Sequence, residues 1–133
     1  MAFVAGLGTS GTFVGTSRRL KELNPAIQCI SLQPDSAFHG LEGWKHMATA
    51  IVPAIYDATL ADANLTVSTE EAYQLVKRAA REEGLLLSPS AAAALDGCFQ
   101  VAASLKPGEH AVIVTVFPDS GTKYLSERFW EEV

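Results

Sequence analysis

Gly8-Thr9-Ser10-Gly11-Thr12 is the stretch on which the reading of this chain turns. The apolar run Ala2-Phe3-Val4-Ala5 before it has the length of a short buried strand, and residues 12–23 behind it read as a helix. Between strand and helix, a loop of glycines and hydroxyl residues lets the backbone come close to an anion, with N–H groups and hydroxyls all able to donate. The first helical turn adds unpaired N–H groups and a partial positive charge. A phosphate group suits such a place, and an ordinary tight turn is the competing reading. No Gly-Lys-Ser/Thr ends the loop, so it is not a Walker loop. Gly6-x-Gly8-x-x-Gly11 fits a dinucleotide fingerprint in form, but the second strand ends in Gln33-Pro34 where an acidic residue belongs. A monophosphate-bearing cofactor fits better than a dinucleotide.

The 133 residues suffice for one domain with a core of its own. Apolar residues make up 48% and charged ones 19%, the balance of a folded globular chain. A net charge of −5, with no cluster of Lys or Arg, argues against a nucleic-acid partner. No apolar run approaches the roughly 18 residues that would span a membrane, and a strand follows Met1 at once where a signal peptide would begin. Cys29 and Cys98 sit in apolar stretches and read as buried free thiols of a cytoplasmic protein. A first strand with no lead-in suggests a fragment of something longer.

Farther along, Phe13, Val14, Leu20 and Leu23 give the first helix an apolar face, and Asn24-Pro25 stops it. Ile27 to Leu32 reads as a second strand, completing a right-handed βαβ unit with parallel strands. Residues 36–64 have weak periodicity and read as a long loop of the kind that often covers a site. His39 and His46 lie in it without a carboxylate or cysteine cluster, so packing histidines are expected and no metal. Ser68-Thr69-Glu70-Glu71 is a capping box that opens a helix ending at Gly84. Leu85-Leu86-Leu87 reads as a short strand. Ser88-Pro89 opens a further helix whose Ala91–Ala94 run allows close packing. Ala111 to Phe117, apolar on both faces, reads as a central parallel strand ending in Pro118-Asp119-Ser120-Gly121. The expected fold is α/β, a three-layer domain with a mostly parallel sheet flanked by helices. Ligands of such sheets bind at the carboxyl ends of the strands, which should gather 8–12, Gln33 onward, 88–90 and Ser120 on one edge.

Three of these stretches together resemble the cysteine synthase/cystathionine β-synthase family of pyridoxal-phosphate enzymes (fold type II). Gly8-Thr9-Ser10-Gly11-Thr12 is similar to the family's Gly-Thr-Gly-Gly-Thr phosphate cup, with Ser10 in place of the middle glycine. Residues 83–94 resemble its Gly-Ile-Ser-Ser-Gly-Ala region, although Ser88-Pro89-Ser90-Ala91-Ala92 departs from it, so Ser90 is assigned no chemical task. Pro118-Asp119-Ser120-Gly121, continuing to Tyr124-Leu125-Ser126, resembles the end of the family's last strand. Cysteine synthases of the B type are the nearest in pattern, and the likeness covers residues 1–133 as a C-terminal half.

The resemblance implies that Gly8, Thr9, Ser10, Gly11 and Thr12 hold the phosphate of pyridoxal 5'-phosphate, and that Ser120 faces its pyridine nitrogen. Ser120, a neutral hydroxyl, cannot keep that nitrogen protonated as a carboxylate would, which makes the ring a weaker electron sink. Gly40 and Gly43 would belong to a loop bordering the substrate. The implied reaction is β-replacement, forming cysteine from an activated serine and a sulfur donor, in a transferase of amino-acid biosynthesis that is a cytoplasmic homodimer. The family's Schiff-base lysine belongs to an N-terminal half, in the same or a companion chain. Lys21, Lys45, Lys77, Lys106 and Lys123 lack its context and read as solvated surface lysines, so no catalytic residue is assigned in this chain. A stand-alone domain binding a phosphate ligand or a protein, and a serine or threonine dehydratase, remain alternatives.

Overall fold

The computed structural model describes residues 1–131. Four strands and three helices follow in the order β1 (Ala2–Gly6), α1 (Gly11–Leu23), β2 (Gln28–Pro34), β3 (Ala63–Val67), α2 (Thr69–Glu83), α3 (Pro89–Ala103) and β4 (Ile113–Thr115) among the described residues. Two short 3-10 turns, Gly121–Tyr124 and Arg128–Trp130, follow. All strand pairings are parallel, in the order β3-β2-β1-β4. The three-layer α/β expectation is met.

Alternation along β1 divides the core between the two faces of the sheet. Phe3, Ala5 and Leu7 pack with Phe13 and Val14 of α1 on one face. Ala2 and Val4, with Ile30 and Leu32 of β2, pack against Cys98 and Val101 of α3 on the other. Gly97 makes that second contact possible, because a Cβ there would lie 2.4 Å from a methyl of Leu32. Ala91 to Ala94 are buried, and α2 packs against α3 along this small-residue face. Both helix starts are capped as the sequence predicts: Ser68 Oγ accepts from the Glu71 N–H, and Ser88 Oγ from the Ala91 N–H.

Several expectations need correction. Residues 36–64 were expected to run as loop up to the next helix, but the chain re-enters the sheet at Ala63 as β3. Ala63, Leu65 and Val67 alternate there with exposed Asn64 and Thr66, a pattern of only five residues at an edge. Leu85–Leu87 forms no strand, only a single antiparallel bridge from Leu87 to Ser120. The 111–117 strand is not central. It shortens to β4 at the sheet edge, with Val112, Val114, Val116 and Phe117 exposed by 42–58%. Val114 is in register with buried Phe3, so it shares the face that α1 covers. However, α1 packs chiefly on β1, which leaves Val114 half-exposed. On α1 itself Leu23 is exposed and Ser17 takes a buried place. Cys29 is buried as expected, whereas Cys98 is only partly so. Lys77 is buried rather than solvated.

The long connection is fastened to β2 by Asp62. Its Oδ2 accepts from the Lys21 ammonium at 2.7 Å and the Cys29 N–H at 2.8 Å, while its own N–H donates to the Cys29 carbonyl at 2.8 Å. Burial pushes the Asp62 carboxyl up, but the Cys29 N–H and Lys21 outweigh it and hold it below its ordinary value. Its stabilisation is therefore complete above the ordinary value of 3.8 and fades as the pH falls through the lower folded value. Asp62→Ala should lower stability at neutral pH by about 1–2 kcal/mol. Denaturant unfolding of the two proteins should then converge as the pH drops below the ordinary carboxylate range.

Candidate cofactor site

The strand order reverses direction between β1 and β4. From β1 the chain runs outward to β2 and β3, then returns across the sheet to place β4 on the other side of β1. Loops leaving the carboxyl ends of β1 and β4 therefore diverge, and the crevice between them is where ligands of open parallel sheets sit. A cavity of about 340 Å³ occupies it.

Its β1 wall is the glycine- and hydroxyl-rich loop: Gly8, Thr9, Ser10, Gly11 and Thr12 all line the cavity. Ser10 precedes α1 with φ 72°, the left-handed region that a residue with a Cβ rarely adopts. Its carbonyl accepts the first helical hydrogen bond, from the Val14 N–H at 2.8 Å, but its side chain caps nothing. Ser10 Oγ is buried and has no hydrogen-bond partner. An orphaned hydroxyl at the open N-terminus of a 13-residue helix with no acidic residue in its first turn is a donor set arranged for an anion. A phosphate monoester fits it.

A second loop roofs the first. A Cβ on Gly8 would lie 2.0 Å from the Gly43 carbonyl oxygen, and one on Gly6 would lie 2.0 Å from the Trp44 ring. The Lys45 N–H donates to the Leu7 carbonyl at 2.7 Å, and the Met47 N–H to Gln33 Oε1 at 2.9 Å. Gly43, with φ +87°, lines the cavity together with Glu42 and Trp44. Gly40 does not. It lines a neighbouring cavity, with its N–H on Thr69 Oγ1 at 2.9 Å, and it abuts the Tyr73 hydroxyl.

The β4 wall comprises Val116, Pro118, Asp119 and Lys123, and α3 contributes Ser90 and Ala94. Ser120 is absent from the lining. Its Oγ accepts from the Thr122 N–H at 3.2 Å and faces the Leu86 carbonyl at 3.5 Å. Asp119, Ser90 and Lys123 also line the cavity, although the sequence pattern points to Ser120 beside Asp119, gives Ser90 no chemical task and makes Lys123 a solvated surface lysine. Lys123, one turn after Ser120, is the only lysine or arginine in the lining. Lys45, in the roofing loop, turns away to the Ile51 carbonyl at 3.1 Å. The histidines serve local turns: His39 Nδ1 accepts from the Leu41 N–H, and His46 Nδ1 meets Thr49 Oγ1 at 2.8 Å. Burial, with His46 nearby, pushes the His39 imidazole below its ordinary value. Among the described residues no three His, Cys, Asp or Glu side chains converge as a metal would need, and no helix is long and apolar enough to cross a membrane.

Residues 1–119 match the model of the pyridoxal-phosphate dependent enzyme family. The chain belongs to that family. Among its relatives, the cysteine synthase of Aquifex aeolicus is 48% identical over 131 residues, which are 98% of this chain and 40% of that protein. Cysteine synthase B of Pseudomonas aeruginosa is 37% identical, over 97% of this chain and 42% of its own length. In structure, O-ureido-L-serine synthase superposes with a TM-score of 0.88 at 28% identity, over 99% of this chain and 43% of its own. The O-acetylserine dependent cystathionine beta-synthase from Helicobacter pylori gives 0.85 at 33%, over 98% and 44%. The chain thus spans about two fifths of the length of the curated relatives it matches. These neighbours are fold type II enzymes, the architecture that the family resemblance of 8–12, 83–94 and 118–126 implied.

The close packing of the two loops makes a sharp contrast between neighbouring glycines. Gly8→Ala must displace the Gly43 backbone and should cost about 1–3 kcal/mol in denaturant unfolding. Gly11→Ala meets nothing nearer than Thr9 Oγ1 at 3.8 Å and should stay within about 0.5 kcal/mol of the parent.

Proposed function

We propose that this chain is the cofactor-cradling part of a cysteine synthase-like enzyme that forms cysteine from an activated serine and a sulfur donor. The observation that carries this reading is the convergence at the β1–β4 crevice. There the phosphate loop, with its orphaned Ser10 hydroxyl, meets the 118–121 turn across one cavity, in a chain of the pyridoxal-phosphate family. The cysteine synthases among its relatives support the choice of reaction. Two free thiols and the relatives' identity agree with a cytoplasmic enzyme, and we extend the reading to a homodimer.

Bound in the crevice, pyridoxal phosphate would supply an electron sink for the substrate's α-carbon. The chain's own residues bind and orient. Backbone N–H groups of Gly11 and Thr12, with the hydroxyls of Thr9, Ser10 and Thr12, take the phosphate. Gly8 and Gly11 leave room for it, and the Gly43 loop closes over that loop and excludes water. Ser120, which we keep at the ring-nitrogen end, is a neutral partner. A neutral partner favours prompt loss of a β-leaving group over long storage of negative charge. We place the Schiff-base lysine in a further segment, the N-terminal half of the enzyme, in the same or a companion chain. The uncovered apolar edge of β4 supports a packing partner of that kind.

Pyridoxal 5'-phosphate should bind this chain, inorganic phosphate should compete, and pyridoxal without the phosphate should bind far more weakly. Ser10→Ala should weaken pyridoxal phosphate by about 5–10-fold while raising the stability of the unliganded chain by about 1 kcal/mol, since an orphaned hydroxyl is removed. Equal binding of pyridoxal and its phosphate would overturn the phosphate assignment. Protein purified from its own source should convert O-acetylserine and sulfide to cysteine. Pyruvate release without cysteine would favour a dehydratase, and neither product would favour a stand-alone binding domain.

A further inference from the structure

Where β4 leaves the sheet, the chain comes back against the start of α3. Leu87 and Ser120 form an antiparallel bridge, and the Gly121 N–H donates to the Leu86 carbonyl at 3.0 Å. A Cβ on Gly121 would lie 2.6 Å from the Leu87 carbonyl oxygen, so the two backbones touch. This contact delivers the Asp119 carboxylate to the cap of α3. Asp119 Oδ1 accepts from Ser88 Oγ and, at 3.4 Å, from Ser90 Oγ, while Oδ2 accepts from the Tyr124 hydroxyl at 3.2 Å. Ser88 Oγ already accepts the Ala91 N–H, so its one proton is free for Asp119. Ser88 and Ser90 are buried, and the Tyr124 ring is buried against Val76 of α2 and Ala92 of α3.

We propose that Asp119 is a positioning residue of the cofactor cavity, its carboxylate locking the first turn of α3, the exit of β4 and the Gly121–Tyr124 turn into one wall. The inference rests on reading that cavity as the cofactor site and adds a residue to it. A carboxylate offers acceptors on both oxygens, and each hydroxyl around this one has its own proton to give, so three donors are held at once without competing. Ser120, the neighbouring residue, takes no part, because its Oγ accepts from the Thr122 N–H within its own turn. The lock sets the strand-end lining residues Val116 and Pro118 against the helix residues Ser90 and Ala94. The β1 wall of the cavity owes its shape to glycines packed under the 41–45 loop. This wall owes its shape to hydroxyls gathered on one acceptor.

Hydrogen exchange followed by mass spectrometry tests the lock without any cofactor. The Ala91, Gly121 and Thr122 amides donate to Ser88 Oγ, the Leu86 carbonyl and Ser120 Oγ, so they report from both sides of it. In Asp119→Ala, segments 87–92 and 119–125 should exchange about tenfold faster while β2 and α1 keep their protection. Asp119→Asn should bring both segments back to within about threefold of the parent, since its amide oxygen accepts from the serines and its NH2 donates to the phenol oxygen. Tyr124→Phe removes one arm and should loosen 119–125 by about threefold, which reads the lock even if Asp119→Ala folds poorly. Unchanged exchange in Asp119→Ala or in Tyr124→Phe, or an Asn variant as loose as the Ala variant, would overturn the proposal. So would equal loosening of β2 and α1 in a folded Asp119→Ala. Pyridoxal phosphate titration separates the inference from the reading it rests on: Asp119→Ala should bind several-fold more weakly than the parent, and Asp119→Asn should recover most of the loss. Equal binding by the parent and Asp119→Ala would overturn the positioning role. A parent that does not bind removes the cofactor reading and leaves the exchange result standing for the lock.

Discussion

Two loops approach each other closely enough to exclude a side chain between them. The loop after β1 and the loop at 41–45 meet where Gly8 faces the Gly43 carbonyl and Gly6 lies beneath the Trp44 ring, with room for hydrogen atoms and nothing more. The rest of the site depends on this contact. It converts two flexible connections into one wall and holds α1's first turn facing the cavity. Neither glycine is needed here for left-handed geometry. They are needed because a side chain would separate the loops.

The loop also accepts a local disadvantage. Ser10 adopts a positive φ and buries a hydroxyl with no partner, two features that ordinary packing selects against. A ligand phosphate would resolve the second by bringing acceptor oxygens to Ser10 Oγ. On the proposed reading, stability and binding would oppose each other at this residue.

The sequence made some of this legible and not the rest. The βαβ start, the caps at Ser68 and Ser88 and the turn of glycines and hydroxyl residues after β1 rest on local chemistry, which a few consecutive residues carry. Residues 63–67 escaped because an edge strand covered on one face alternates weakly over five residues. The 111–117 run misled in the opposite direction. Its two-sided apolarity describes the environment the strand is suited to, and the described residues cover only one of its sides. Asp119 was hidden by proximity: Ser120 drew attention as the hydroxyl, while the carboxylate beside it turned into the cavity and gathered Ser88, Ser90 and Tyr124. Such a cluster joins residues 31 and 5 positions apart in sequence, and no spacing rule links them.

The bare outer edge of β4 bears on how this chain behaves in solution. A parallel strand whose free side offers unsatisfied N–H and C=O groups, flanked by Val112, Val114, Val116 and Phe117, is a template that any extended apolar segment can join. With that edge uncovered, a rising concentration of this chain would drive it toward strand-to-strand aggregates.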